Sequence, residues 1–442
     1  MDISSWLESV QPGTRTDTKP RQQESATNTR QRKSQPQTPT PTPSTAAGPN
    51  IRSPPPNKRR RAQHDDDNDG NDDNEPADPD TDRTPRGRAT LSNSDRTSSR
   101  SSGASRISAS RRLARLELAP VNPVLITQIK WRDSRMPQEL KDVLDSLEDL
   151  QSCVVPDYLA KDIEARAKED PEFHNFRPSK FYQANETTTG APTFHPDLSL
   201  DEVLEVFLAA EECFDENHAE AGWNSLVHWP VFQLALGPIK PPPGAAADII
   251  QGQRHPARVR AMPCATARLQ SRPYGAKMVD FCIFVEPQGA DAEQVDQIRE
   301  ERDFINHTDY LPLRRRPIAL SAKSTNPGEG YTDAQIQLSA WQAAQWALFE
   351  SLLGSRATQN TLIPFLPALI IRGHEWFFAA TTKSGRHTVL WVQKAIGATD
   401  SVLGVFQIIH ALRYIAAWIR EIYWPWYRRA ILQVPGNEDM GG

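Results

Sequence analysis

The sequence predicts a mixed α/β domain in its carboxy-terminal part, behind a long amino-terminal tail without stable structure. Two observations lead there. Apolar residues are 38% of 442 and prolines number 37, too lean a mixture to fill the whole length with core, so part of the chain must stay unfolded. Beyond Leu198, stretches of helical spacing alternate with short β-branched and aromatic runs, in the order helix, strand, strand, helix, strand, strand, helix.

From about Pro12 to Ser110 the chain is rich in Ser, Thr, Pro, Arg, Asp and Asn and contains no aromatic residue. Such a segment buries too little apolar surface to offset the entropy of ordering. Lys58-Arg59-Arg60-Arg61 follows three prolines and reads as a nuclear import signal, against a cytoplasmic setting if it is only a solvated charge run. Asp65-x-Asp67-x-Asp69-Gly70 imitates a calcium loop, but Pro76 stands where the twelfth position needs Glu, so the tract is expected to be acidic solvating chain. Ile3, Trp6, Leu7 and Val10 share one helical face and read as a frayed terminus in preference to a docking motif.

Leu140, Val143, Leu144, Leu147 and Leu150 predict an amphipathic helix, and a second is expected over Asp157 to Lys168. Ser199 with Glu202 reads as a capping box for a helix carrying Val203, Leu204, Phe207 and Leu208. Trp223, Val227 and Val231 continue as a helix expected to end or bend near Pro230. Met278 to Val285 and Pro317 to Ala322 read as strands, and Ala334 to Leu353 as a helix. Trp376 to Thr381 and His387 to Gln393 form a hairpin around Ser384-Gly385, and Thr399 to Arg429 is helical with a break at Pro425. Trp418, Trp424 and Trp426 are expected to be packing residues. Leu362 to Ile371, about ten residues with two prolines, is too short to cross a bilayer, which takes about 20 residues, so no membrane partner is expected. Cys153, Cys213, Cys264 and Cys282 show no zinc spacing and are expected as reduced thiols. The net charge of -5 leaves only a local patch for any nucleic acid.

Inside the strand from Met278 sits one acid, Asp280. A charge there is costly to bury unless it is paired or binds a metal; the alternative is a strand-end Asp capping a turn. Several motifs lie around it in order: Glu220 before Trp223-Asn224-Ser225-Leu226-Val227-His228, Lys277-Met278-Val279-Asp280, Asn306-His307-Thr308-Asp309-Tyr310-Leu311-Pro312-Leu313-Arg314, Gln337-Leu338-Ser339-Ala340-Trp341, Gly373-His374-Glu375-Trp376 and Ile396-Gly397-Ala398-Thr399. Each is weak alone; together they resemble the fungal PD-(D/E)XK nuclease-like family over roughly the last 240 residues. The resemblance implies a restriction-endonuclease-like mixed sheet flanked by helices. It also implies phosphodiester hydrolysis of DNA or RNA, in which Asp280 is the first Mg²⁺ ligand, Glu220 supports it from a helix, and a Glu-x-Lys on the next strand completes the centre.

That next strand departs from the family. Where the family has Pro-Ile-Ala-x-Ser-x-Glu-x-Lys, this chain has Pro317-Ile318-Ala319-Leu320-Ser321-Ala322-Lys323-Ser324-Thr325, so Lys323 takes the Glu slot and Thr325 the Lys slot. Shifting Lys323 into the Lys slot leaves Ser321 in place of the carboxylate. Either frame loses a metal ligand, and Lys323 is expected to pair with Asp280 in the ion's stead. Glu286 shares the face of Asp280 but lies about 20 Å along the strand. Glu329, and Asp333 with Gln337, are the other acids and amide that could reach the site, while Lys277 should face away.

The expected protein is therefore a degenerate nuclease fold with weak or no cleavage, needing Mg²⁺ only if active and no cofactor otherwise. His307, Tyr310, Arg314, Arg315, Arg316 and Gln337 are its candidate nucleic-acid contacts. The alternatives are an active nuclease with a migrated carboxylate, and a protein-interaction module on the same fold. The expected division is a tail over 1–125, a helical extension over 126–197 and the nuclease-like domain over 198–435.

Overall fold

The computed structural model describes residues 108–120, 122–183, 197–237, 258–270, 279–328, 330–358 and 360–434. Lys58–Arg61, the acidic tract, the first ten residues, Lys277, Met278 and Glu329 lie outside them.

A seven-stranded mixed sheet organises the described residues, in the order β1 (Val124–Gln128), β9 (His387–Ala398), β8 (Glu375–Ser384), β7 (Leu366–Arg372), β6 (Ile318–Thr325), β5 (Phe281–Glu286), β4 (Arg258–Pro263). The pairs β1/β9 and β6/β7 are parallel and the other four are antiparallel. Two further short strands, β2 (Val155–Pro156) and β3 (Phe181–Tyr182), make a separate parallel pair. Every residue of β6 is buried, as expected of a strand with neighbours on both sides and helices on both faces.

One face of the sheet, with Phe281, Ile283, Ala322, Leu369, Ile371 and Trp376, packs into a core built with α2 (Gln138–Asp149), α4 (Leu200–Asp215), α5 (Glu220–Leu236) and α8 (Val402–Ala430). The other face, with Cys282, Phe284, Ala368 and Ile370, meets Ala334, Leu338 and Trp341 of α7 (Tyr331–Leu353). Helix α7 buries apolar residues around its whole circumference because Trp341 serves one core and Trp346 the other. Helix α8 is long and apolar enough to cross a membrane by length and composition, yet 89% of its most apolar window is buried within the fold.

The long rods α5 and α8 run through their prolines where an end, a bend or a break was expected. In each, a π turn (Asn224–His228, Ile419–Tyr423) immediately precedes a Trp-Pro step, Trp229-Pro230 or Trp424-Pro425. The widened turn absorbs the hydrogen bond that proline cannot make. Ser199 does occupy the N-cap position of α4, but its side chain makes no capping hydrogen bond. Trp418 and Trp424 are buried, and Trp418 stacks on Phe365 with ring centroids 4.6 Å apart.

Part of the segment expected to be tail is in the fold. Helix α1 (Ala109–Glu117) packs on α7, and β1 forms the sheet edge beside β9. Also absent from the sequence expectation were β4, β7 and the helix α6 (Ala290–Arg302), as well as α3 (Ala160–Arg166) stopping short of Lys168. The apolar run weighed against a bilayer supplies β7, a central strand.

Candidate functional site

Strands β5 and β6 lie side by side, with Phe281 paired to Ala322 and Cys282 to Ser321. The amide of Asp280 donates to the Ala322 carbonyl at 2.9 Å, carrying the ladder one step beyond the strand. Extending that antiparallel register sets Asp280 beside Lys323, on the face that also holds Cys282 and Ser321.

Lys323 joins two carboxylates. Its Nζ lies 2.6 Å from Asp280 Oδ2 and 2.8 Å from Glu220 Oε1. Asp280 Oδ2 also accepts the Ser324 amide at 2.8 Å and the Ser324 hydroxyl at 3.0 Å. The side chains of Lys323 and Asp280 are 9% and 8% exposed, whereas Glu220 is 38% exposed, so the triad opens to solvent on the Glu220 side. Burial is the largest influence on Lys323 and disfavours its charge, but Asp280 and Glu220 together outweigh it and lift the pKa above the usual lysine value. The ammonium is therefore permanent at neutral pH.

Glu220 is held in place by the first turns of α5. His228 is fully buried, stacks on Trp223 with centroids 5.9 Å apart, and meets Trp376 edge-on at 5.6 Å. Burial pushes its pKa down to about 4, so the ring is neutral. Its Nε2–H then donates to the Gly373 carbonyl at 2.9 Å, and Nδ1 lies 2.9 Å from the side-chain Oδ1 of Asn224. His374 packs edge-on against Trp223 at 4.9 Å and bonds Thr399 Oγ1 at 3.1 Å. The Trp-Asn…His, Gly-His-Glu-Trp and Gly-Ala-Thr segments are thus one interlocking support, and Glu220 projects from it toward Lys323.

The remaining sequence candidates are dispersed. Arg314, Arg315 and Arg316 precede β6, at the end of the hairpin opposite Lys323. Arg315 is clamped by Asp296, Arg316 bonds Glu286 at 3.0 Å, and Arg314 is exposed. With Leu311 and Pro312 they line a cleft of about 510 Å³. Glu286 closes β5 six residues from Asp280, about 20 Å along a strand. His307 is buried edge-on against Trp341 with centroids 4.6 Å apart, and neither ring nitrogen has a hydrogen-bond partner. Burial holds its pKa down to about 3. In this structure the ring is enclosed rather than exposed. Tyr310 is half-buried against the α7-side core. Trp341 Nε1 donates to Ser321 Oγ at 2.9 Å and Gln345 reaches the Ile318 carbonyl, so α7 runs opposite to β6 and its first turns overlie the Lys323 end. Gln337 sits half-buried there, but Asp333 is bound by Arg112 of α1.

Sequence reasoning missed Ser324, which strand alternation assigns to the face away from Lys323, and Arg112, which lay in the presumed tail. Among the described residues, three metal-ligating groups come within 4.8 Å of one another only at Glu212, Glu216 and His218, a set that does not include Asp280.

A family model described as the PD-(D/E)XK nuclease superfamily matches residues 162–424, more than half of the chain. Comparison with curated proteins and with solved structures finds no match.

Proposed function

The chain belongs to the PD-(D/E)XK nuclease superfamily, and from that premise we propose that it is a nuclease-fold protein whose phosphodiesterase centre is closed by its own lysine, leaving weak or no cleavage. The observation that carries this reading is Lys323 Nζ within hydrogen-bonding distance of both Asp280 and Glu220. The superfamily's chemistry calls for a divalent cation between carboxylates. Here the donor set does not fit one. A unit positive charge about 4 Å from Mg²⁺ would repel it by about 8 kcal/mol at an effective dielectric constant of about 20. No second carboxylate on β6 answers that repulsion. Asp280, Glu220 and Lys323 hold each other in place, and no water-activating step follows from them.

The test is direct. Full-length protein incubated with supercoiled plasmid, single-stranded DNA or RNA in Mg²⁺ or Mn²⁺ should cut no faster than its Asp280→Ala variant. Robust metal-dependent cutting that Asp280→Ala abolishes would instead establish an active nuclease with a displaced ligand.

Whether the fold still takes a nucleic acid bears on a second reading, a protein-interaction module at the former cleft. One observation favours it. Between Lys180 and Lys240 the chain has no lysine or arginine. On and after α4, Glu205, Glu211, Glu212, Asp215 and Glu216 stand exposed on the approach to Glu220. Across from them His374 feels Asp400, Glu211 and Glu375. A polyanion entering there meets a negative field, which suits a basic polypeptide better than a phosphate backbone. Salt-sensitive nucleic-acid binding that falls when Arg314, Arg315 and Arg316 are changed to Ala would favour the nucleic-acid reading instead. A nuclear setting, proposed from Lys58–Arg61, is compatible with both.

A further inference from the structure

Two of the four cysteines are neighbours. Cys264 Sγ and Cys282 Sγ lie 3.3 Å apart, and both residues are buried. Strand β4 runs antiparallel to β5 with Met262 opposite Cys282 and Pro263 opposite Phe281. The Cys264 amide donates to the Asp280 carbonyl at 2.7 Å, so the ladder continues and Cys264 stands opposite Asp280. Side chains alternate along a strand, which puts Cys264 and Cys282 diagonally across the pair on one face. A disulfide needs its sulfurs about 2.05 Å apart and tolerates the backbone separations of adjacent strands. Closing the remaining gap asks for side-chain rotation and a small settling of the strand end. By contrast Cys153 Sγ donates to the Phe181 carbonyl and Cys213 Sγ faces His218.

The geometry points to Cys264 and Cys282 as an oxidative modification site, a reversible disulfide that staples the end of β4 to the strand carrying Asp280. Each thiol gives up one proton and the pair gives up two electrons as the S–S bond forms. A small-molecule disulfide accepts them to become two thiols, or hydrogen peroxide accepts them to become two waters. Burial shields both sulfurs, so the reaction proceeds through local opening. Among the described residues strand β4 is the sheet edge, paired on one side only, and its end is where such opening is cheapest.

The test uses the full-length protein in a buffer of reduced and oxidised glutathione, quenched by alkylation and mapped by peptide mass spectrometry. A linked peptide pair containing Cys264 and Cys282, lighter by two hydrogens and separated again by dithiothreitol, is expected. It should accumulate slowly, faster in sub-denaturing urea, and raise the unfolding temperature. Cys264→Ser or Cys282→Ser should abolish it, while Cys153→Ser should not. The mapping of the wild-type protein stands even if a variant folds poorly. Two outcomes overturn the inference: both thiols staying free in a buffer that oxidises the urea-unfolded chain, or oxidation giving only glutathione adducts or sulfinic acids with no linkage between the two.

Discussion

His228 Nε2 donates to the Gly373 carbonyl at 2.9 Å across 145 residues of sequence, fastening the helix that carries Glu220 to the turn between β7 and β8. The bond is fully enclosed, and it is burial, not the bond, that resists a second proton on the ring. Acid should therefore destabilise the fold, because the unfolded chain takes up that proton more readily than folded His228 does.

The sign follows from the lowered pKa of about 4. An unfolded histidine takes up its proton near pH 6.5, whereas folded His228 resists until about pH 4. Between those values the unfolded state binds more protons, so stability rises with pH. The contribution is complete above about pH 6.5 and is lost as pH falls toward 4, at about 1.4 kcal/mol per pH unit for each such group. His307, held down to about 3, acts in the same direction over a wider window. Urea midpoints measured from pH 7.5 to 4 should fall steeply, and His228→Gln should flatten the slope by roughly one group's share. An unchanged slope in that variant would remove His228 from the account.

Gly373 contributes its conformation as well as its carbonyl. Its φ is +55°, and an added Cβ would come within 2.5 Å of Pro327 Cγ. Gly373→Ala should cost about 1–3 kcal/mol from left-handed strain and the clash together. Chemical denaturation reads this directly. The substitution should also displace Glu220 through the His228 bond, so lysine-dependent protection of the site should weaken with it. A neutral Gly373→Ala would mean the turn relaxes freely and the interlock is loose.

Much of this was legible beforehand, and the failures have physical causes. The acid in an apolar strand marked Asp280, and counting from Pro317 marked Lys323, because strand alternation and ladder pairing are local rules. Ser324 was hidden because its backbone amide serves Asp280 along with its hydroxyl, a contact that side-chain alternation does not encode. The arginine cluster looked available because its partners, Asp296 and Glu286, lie on other elements. His307 was named as a nucleic-acid contact for its place near the basic cluster, while Trp341 encloses it. Strand β1 was missed because a short edge strand with a mixed burial pattern carries little periodic signal.

Removing the lysine tests the lock. Lys323→Ala leaves Asp280 buried with Ser324 as its remaining partner among the described residues, and breaking a buried pair in this way costs about 3–5 kcal/mol. Adding millimolar Mn²⁺ should then return part of the stability, since a cation can enter between Asp280 and Glu220. The wild-type melting temperature should not respond to Mn²⁺. Equal responses in the two proteins would show that the ammonium does not exclude the ion.

Lys323→Glu asks whether the fold remains competent to hold a metal. The substitution replaces the ammonium with the carboxylate that the superfamily places on this strand, opposite Asp280. Three acids would then crowd one buried spot, so without metal the variant should be markedly less stable than wild type, because like charges so close cannot all ionise cheaply. Divalent cation should reverse that penalty, and calorimetric titration with Mn²⁺ should show one site where the wild-type protein shows none. Thr325 occupies the slot of the superfamily lysine and is buried with an unpartnered hydroxyl. Adding Thr325→Lys to Lys323→Glu should therefore let the metal-loaded protein cut DNA or RNA at a rate that Asp280→Ala removes. A folded Lys323→Glu protein that binds no divalent ion would mean that Asp280 and Glu220 are not aimed at a common point. The count from Pro317 would then have assigned the slots wrongly.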